Sequence, residues 1–235
     1  NKYIMGSGAA PGADSFFAKE FIRFGGDPED VYHYSFKGHK GKDSKAQGQI
    51  VTLSPQQLSR ANLAYEKASE RLGKKPRKVD KRLLKRNYFQ VLHSDGVFAI
   101  GEIQKPVGKG SKVKKEVPVG EVKGGTGWAI AMAKEMQGKE IHVYDHKDKQ
   151  WNKWNRKTRR WDKEETPKLT NDFAGIGTRG VTVKGKGKIF TKDMKQAITD
   201  VMQKTFGDPI EKTSSEKAQI KAEKQKIVST VGSEK

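Results

Sequence analysis

The sequence predicts an α/β domain with three layers, in which helices cover both faces of a mainly parallel sheet and basic loops are inserted. Short apolar runs typical of buried strands alternate about five times with segments that have helical apolar spacing. Three of the strand-to-helix junctions contain clustered glycines. A chain of 235 residues is long enough to bury one full core. Ligands of such sheets bind at the carboxyl ends of the strands.

Five short apolar runs predict the strands. Each lies between polar or glycine-containing segments, the pattern of a strand that is buried on both faces. In chain order the predicted strands cover residues 2–5, 31–36, 96–100, 141–144 and 173–176. Because helical segments connect them, we expect the strands to be parallel.

Five segments have the apolar spacing of helices. They cover residues 15–22, 54–72, 83–92, a segment from 124 onwards, and 191–206. Ser54 followed by Pro55 marks a helix start, and Gly25 marks a helix end. We therefore predict one domain over residues 1–206, followed by a charged tail over 207–235 that is either disordered or a solvent-exposed helix.

The charge of the chain favours anionic partners. There are 48 lysines and arginines against 28 acidic residues, which gives a formal net charge of +20. Three basic insertions are predicted near residues 71–86, 104–123 and 147–165, the first with nine Lys or Arg against the single Asp80. Such a field attracts nucleic acid, although a lysine-rich surface can equally serve solubility alone.

Several functional classes are excluded or unsupported. The absence of cysteine excludes disulfides, a thiol nucleophile and cysteine-ligated metals, and it predicts a reducing, cytoplasmic location. The five histidines show no paired metal spacing, so no metal site and no cofactor are predicted. No apolar window is long enough to span a membrane.

Glycine-rich turns are the main candidate sites. They cover residues 6–14, 124–127 and 175–180, and each follows a predicted strand. Any one of them could be an ordinary sharp turn, but three at one sheet edge favour a phosphate cradle. The third matches GxGxxG without the acidic residue about 20 positions later that a dinucleotide site needs.

The residues of these turns resemble a known superfamily. Residues 8–14, GAAPGAD, followed by Phe16, resemble the GGAxGAD motif of the Rossmann-like SLOG proteins. Residues 86–101 together with 124–129 are similar to the arginine-led helix, apolar strand and GGxGT loop of the "lonely guy" phosphoribohydrolases. The run from 3 to 206 most resembles an uncharacterised SLOG group of bacteriophages and their hosts.

The resemblance implies a set of ligand-binding residues around a nucleotide. Asp14 would hold a ribose hydroxyl, or else be a simple helix N-terminal acid. The implied set is Gly8, Gly12, Asp14, Arg86, Asn87, Gly124, Gly125, Thr126, Gly127, Gly177, Thr178 and Arg179. In the related DNA-processing protein A, the Gly-Thr-Arg turn precedes the glycine-rich loop. Here it lies near the end of the chain, so the order is circularly shifted. By this analogy the hypothesis is that the last strand inserts beside the first, in which case Arg179 would face the same ligand crevice as Ser7 and Gly8.

The sequence departs from the phosphoribohydrolases at the catalytic position. These enzymes have a glutamate three residues after the loop threonine, whereas residues 128–131 here contain no carboxylate. Cleavage of an N-glycosidic bond needs negative charge near the developing cation. Arg86, Glu102 and Glu121 remain as candidate catalytic residues, and binding without turnover is favoured.

A second candidate surface combines aromatic and basic residues. Tryptophans between basic residues suit stacking and phosphate contacts on a single strand, or else a hairpin whose tryptophans pack on the domain. The nucleic-acid candidates are Lys112, Lys114, Lys115, Trp151, Trp154, Arg156, Arg159 and Arg160.

Three functions follow as expectations. The first is binding of a nucleotide or nucleotide derivative by a phage-encoded sensor, sequestering or nucleotide-processing protein, in the host cytoplasm or the virion. The alternatives are a basic nucleic-acid-binding protein, virion-associated or similar to DNA-processing protein A, and a nucleotide N-glycosidase. The resemblance also implies a homodimer.

Overall fold

A computed structural model describes residues 2–40, 42–75, 81–108 and 115–210 of the chain. It contains an eight-stranded, mostly parallel sheet with helices on both faces, which confirms the predicted three-layer α/β class.

The elements alternate as the apolar pattern predicts. The strands are β1 Ile4–Ser7, β2 Val31–Phe36, β3 Gln49–Leu53, β4 Gly96–Gly101, β5 Glu140–Asp145, β6 Gln150–Asn155, β7 Arg160–Glu164, β8 Asp172–Gly177, β9 Val181–Val183 and β10 Gly187–Ile189. The helices are α1 Ala13–Arg23, α2 Pro55–Ser59, α3 Asn62–Leu72, α4 Lys81–Leu92, α5 Gly124–Glu135 and α6 Lys192–Phe206, with a short 3-10 turn at Pro28–Asp30.

The sheet order is β3-β2-β1-β8-β4-β5-β6-β7. The strands from β3 to β5 are parallel, and β6 and β7 extend the sheet as an antiparallel hairpin. The late strand β8 pairs with β1 on one side and β4 on the other, so it inserts beside the first strand as expected. The carboxyl ends of β1, β8, β4 and β5 therefore lie side by side.

Alternate residues of the central strands pack into two separate layers. On β4, Phe98 and Ile100 join a cluster with residues of α1 and α6, whereas Val97 and Ala99 join a cluster with residues of α4 and α5. This two-residue alternation is the geometry of a strand that is covered on both faces. The helices α1 and α6 therefore cover one face of the sheet, and α4 and α5 cover the other.

Three features differ from the predicted elements. The single helix expected over 54–72 is broken after Ser59, because Leu58 packs beside Phe36 and Leu53 while Leu72 packs beside Trp128, in a different cluster. Strand β3 and the hairpin of β9 and β10 were not predicted. The segment 147–165, predicted as a basic insertion, contributes two strands to the sheet, in agreement with the alternative that its tryptophan-rich part is a hairpin packed on the domain.

Of the predicted tail, residues 211–235 lie outside the described residues. Within the described ranges, no helix is both long enough and apolar enough to cross a membrane.

Candidate functional site

A cleft of about 480 Å³ opens at the carboxyl ends of β1, β8, β4 and β5. Its walls are one side of α4, the start of α5, the turn after β8 and the hairpin of β9 and β10. The ionisable residues that line it are Asp14, Arg86, Glu102, Glu116, Lys123, His146, Lys147, Arg179 and Lys188. This is the place where ligands of parallel α/β sheets bind.

The first glycine-rich turn directs its amides into the protein. The Gly8 and Ala10 amides donate to Oδ2 of Asp14 at 3.1 and 3.4 Å. The Ala9 amide donates to Nδ1 of His33 at 3.1 Å. These three donors already have acceptors, so the turn is closed to a phosphate in this arrangement.

Asp14 fastens two loops together. Its Oδ1 accepts from the Gly177 amide at 3.0 Å, while Oδ2 serves the first turn. The carboxylate is buried, with 4% of the residue exposed. Burial raises the pKa of Asp14, and the positive charge of Arg86 opposes that rise. Asp14 therefore holds the loop instead of reaching a ribose hydroxyl.

The N-terminus of α1 is covered by the turn after β8. The Ala13 amide donates to the Thr178 carbonyl at 3.1 Å. A Cβ on Gly12 would lie 2.6 Å from both the Thr178 oxygen and the Arg179 Cα, and Gly12 has φ of 96°. Gly12 thus permits this close approach of two backbones.

The N-terminus of α5, in contrast, is open. Gly124, Gly125 and Thr126 line the cleft, and no side chain caps the helix start. The first-turn amides of a helix have no intrahelical acceptor. A Cβ at Gly124 or Gly125 would meet nothing within 4 Å, so the approach to these amides is clear. The amide group of Asn87 reaches this turn, with Nδ2 3.4 Å from the Gly125 carbonyl.

Two buried donors in the cleft have no partner. Arg86 is 5% exposed; its Nη1 donates to the carbonyls of Gly8 and Tyr34, the latter at 3.1 Å, but its Nε has no acceptor. Gln90 is 2% exposed, and its Nε2 also has no acceptor. A buried donor without a partner costs about 1–3 kcal/mol, which favours a ligand that supplies the acceptor.

Gln90 was absent from the sequence-based candidates. It lies four residues after Arg86 on α4, so both side chains are on the same face of the helix. That spacing is the signal that could have identified it.

The opening of the cleft is electropositive. Arg179 is exposed and forms no ion pair with any described residue. Burial lowers the pKa of Arg86. The negative charge of Asp14 opposes this decrease, and the positive charge of Arg179 adds to it. The guanidinium groups of Arg86 and Arg179 are thus close enough for each to act on the other's charge, an arrangement that attracts an anion.

The candidate carboxylates are in different places. Glu102 lines the cleft, where its Oε1 lies 2.6 Å from Nζ of Lys123 and its Oε2 lies 4.0 Å from Nε2 of His146. Glu121 is outside the cleft and forms ion pairs with Arg71 and Lys134, each at 3.1 Å. Only Glu102 is therefore placed to meet a ligand.

The tryptophan-rich segment lies mainly against the domain. Trp151 is buried, and the rings of Trp154 and Trp161 lie 3.7 and 5.0 Å from Nζ of Lys134. Burial lowers the pKa of Lys134 to about 8, against the raising effect of Glu121. These tryptophans are thus occupied by contacts within the protein.

The three arginine candidates lie away from the cleft. Because β6 runs antiparallel to β5, the turn that carries Arg156, Arg159 and Arg160 lies at the opposite edge of the sheet. Lys115 is exposed, whereas Lys112 and Lys114 lie outside the described residues.

Arg156 closes the C-terminus of α5. Its guanidinium donates to the carbonyls of Ala133, Lys134 and Lys139 at 2.9–3.3 Å. Hydrogen bonds from a charged group contribute about 1.5–3 kcal/mol each at most. We expect Arg156→Ala to lower the free energy of unfolding by about 2 kcal/mol, measured by urea denaturation. Arg160→Ala, on the same exposed turn, should leave it unchanged; equal effects would contradict the capping role.

His33 gives the first turn a dependence on pH. Its Nδ1 accepts from Ala9, so Nε2 carries the proton and donates to the Gln47 carbonyl at 2.8 Å. Burial lowers the pKa of His33, and the Gln47 carbonyl and the charge of Asp14 oppose this decrease. Because the unfolded chain then binds the proton more readily, stability should fall as pH drops below about 6.5. The free energy of unfolding, measured with urea at pH 5 and pH 7.5, should differ less between the two pH values in His33→Gln than in the original chain. An equal difference in both proteins would contradict the role of His33 in this pH dependence.

Comparison with known proteins finds no matching family model, no similar curated protein and no similar solved structure. Among the described residues, no group of three or more His, Asp or Glu side chains is arranged to hold a metal ion.

Proposed function

We propose that the cleft binds a phosphorylated nucleotide or nucleotide derivative. The observation that carries this proposal concerns Arg86 and Gln90, two residues that line the same cleft as the open N-terminus of α5. Each has a buried side-chain donor without a partner, Nε in Arg86 and Nε2 in Gln90. Burying donors without acceptors lowers the stability of the free protein, so a bound acceptor is the arrangement in which they are satisfied.

The phosphate is proposed to lie at the start of α5. A helix N-terminus offers free amides and the positive end of the helix dipole. Arg86 and Arg179 add charge from the other wall of the cleft. The first glycine-rich turn, whose amides are occupied, would support Arg86 through the Gly8 carbonyl and not contact the phosphate itself.

The rest of the ligand is proposed to be a nucleoside. About 480 Å³ lies within the range of small-molecule sites, which is about 300–1,000 Å³. Apolar side chains stand beside the charged ones in the lining: Leu83, Leu84, Ala129, Ile176 and Val181. A flat heterocycle with a charged tail fits such a mixed lining, and the resemblance to SLOG proteins points to the same class. A sensor or sequestering role follows if no turnover occurs.

The first experiment identifies the ligand and tests the donors. The purified protein is unfolded, and the released small molecules are analysed by mass spectrometry; a panel of mono-, di- and cyclic nucleotides is then screened by thermal shift. Gln90→Met removes one donor while keeping the volume. We expect about a tenfold loss of affinity, together with an increase in stability of the free protein of roughly 1 kcal/mol.

The matched control is Gln196→Met on the exposed side of α6. It should leave the affinity unchanged and lower the stability by no more than about 0.5 kcal/mol, because the only hydrogen bond that it removes is the exposed one from Gln196 to Asp200 at 2.7 Å. If no nucleotide binds, or if Gln90→Met binds as tightly as the unmodified chain, the proposed site is wrong.

A second candidate function is hydrolysis of the bond between base and ribose. The observation that favours it is Glu102, a carboxylate in the cleft on the side away from Arg86. Water would add to the ribose carbon as the base leaves with a proton, and a carboxylate would stabilise the positive charge that develops. Release of free base from a nucleoside monophosphate, abolished in Glu102→Gln while binding persists, would establish this activity. No release would leave binding alone.

A further inference from the structure

The hairpin of β9 and β10 is a basic surface that continues directly from the cleft. It follows Arg179, and Val181, Thr182 and Lys188 of the hairpin line the cleft wall. Lys184, Lys186 and Lys188 alternate with glycines along its tip. Residues 180–192 contain no Asp or Glu, so the segment carries positive charge alone.

The hairpin is anchored at its base. Val181 and Phe190 pack against the core cluster of α1 and α6, and the rings of Phe190 and Phe16 lie 5.8 Å apart. Gly180 touches the backbone of Ile189, where a Cβ would overlap the carbonyl group. The base is therefore fixed, and three residues of strand at about 3.3 Å each place the tip about 10 Å from Gly180.

The three lysines are available to a partner. All are exposed, and none forms an ion pair with a described residue. The nearest acidic residue in the following helix, Asp193, is paired with Lys149 at 2.8 Å. Val183 and Ile189 are 36% and 37% exposed on the same hairpin. The surface thus combines unpaired ammonium groups with small apolar contacts and contains no aromatic ring at its tip.

We infer that the nucleotide in the cleft is part of a single-stranded nucleic acid whose phosphates run over this hairpin. The inference rests on the proposed function of the cleft. The start of α5 can bind one phosphate without the hairpin tip. Lys184 and Lys186 at the tip, about 10 Å from Gly180, therefore fit further phosphates of the same chain. A cleft of about 480 Å³ admits one nucleotide but not a base pair with its flanking duplex.

The same surface predicts low sequence preference. Ammonium groups contact the phosphates, which carry no sequence information. Aromatic stacking, which gives single-strand binding proteins part of their affinity, is absent from the hairpin tip. Affinity should therefore depend strongly on salt and weakly on base composition.

The test compares one nucleotide with a strand. The probes are a nucleoside 5′-monophosphate and a fluorescent ten-nucleotide DNA with a 5′ phosphate, titrated from 50 to 200 mM salt. In the variant Lys184→Gln/Lys186→Gln, which leaves Lys188 in the cleft wall intact, we expect the strand to bind at least about tenfold more weakly, with the salt slope reduced by about 1.4, and the mononucleotide to bind within about twofold of the original affinity. The control variant is Lys67→Gln/Lys157→Gln, which removes two exposed lysines away from the cleft.

The outcomes separate the two proposals. Unchanged strand affinity in the hairpin variant overturns the inference, and so does an equal loss for strand and mononucleotide, which would make the hairpin a lid on a free nucleotide. Loss of strand binding in the control variant would place the strand on another face. Failure of both probes to respond to Gln90→Met contradicts the cleft proposal instead, whatever the hairpin variant shows.

Discussion

Arg86→Met should lower the free energy of unfolding by about 3 kcal/mol, since it leaves two backbone carbonyls without their donor at a cost of about 1–3 kcal/mol for each buried group. The two carbonyls are those of Gly8 and Tyr34. Methionine is an unbranched, apolar side chain of similar length, but it leaves the buried carboxylate of Asp14 without its nearby positive charge. Because Asp14 ties Gly8 to Gly177, ligand binding should be lost together with stability.

A comparison of Arg86→Met with Arg179→Met separates the effect on stability from the effect on ligand binding. Arg179→Met removes an exposed guanidinium from the same cleft and should weaken nucleotide binding about tenfold, the loss of one charge-assisted hydrogen bond, without changing the urea midpoint. Urea denaturation and calorimetric titration of both variants measure the two effects. If Arg86→Met were as stable as the original chain, Arg86 could not be the residue that holds α4 to the first turn and to β2.

Gly127→Ala should destabilise the protein strongly, whereas Gly125→Ala two residues earlier should not. A Cβ on Gly127 would overlap the backbone carbonyl of Val122, which cannot move without breaking the pairing of Val122 with Ile103. We expect a loss of at least about 3 kcal/mol, the upper end of the cost of overpacking. At Gly125 a Cβ meets nothing, so Ala should stabilise α5 by about 0.4–1 kcal/mol.

Thermal and urea denaturation of the two variants check this contrast. Gly125→Ala has a second readout, because its methyl group would stand beside the proposed phosphate position and should weaken nucleotide binding. Similar stability of the two variants would show that the turn before α5 has a different backbone from the one described.

Much of the fold could be predicted from local patterns. The apolar runs predicted β1, β2, β4, β5 and β8, because strands buried on both faces have continuous apolar sequences. The position of the Gly-Thr-Arg turn also predicted the insertion of β8 beside β1. The edge strand β3 was missed, since only Leu53 of its five residues is buried and its pattern is weak.

The site was less accessible to sequence reasoning. Glycine-rich turns indicate close backbone approach, but the sequence does not reveal whether the amides face a ligand or a side chain. Here Asp14 and His33 occupy the amides of the first turn, and Thr178 covers the start of α1. These partners come from distant parts of the chain, so only the tertiary structure distinguishes the closed turn from the open one at α5.

For the basic residues, too, the sequence does not reveal which of them contact the rest of the domain. For Arg156 and the tryptophans around it, the sequence allowed either a nucleic-acid surface or a hairpin packed on the domain. The structure has the hairpin, in which the rings and the guanidinium make contacts within the domain. The lysines of the β9 and β10 hairpin had no such pattern, but the topology places them beside the cleft. Their position depends on β8 ending at the same sheet edge as β1 and β4.

The most direct test of the account is an NMR titration of ¹⁵N-labelled protein with a nucleoside 5′-monophosphate. We predict the largest shifts at the Gly125 and Thr126 amides and at the side-chain N–H groups of Arg86 and Gln90, with the Ala9 amide almost unchanged because it stays bonded to His33. Shifts centred on Gly8 to Ala10, or no shifts at the start of α5, would contradict the proposed position of the phosphate.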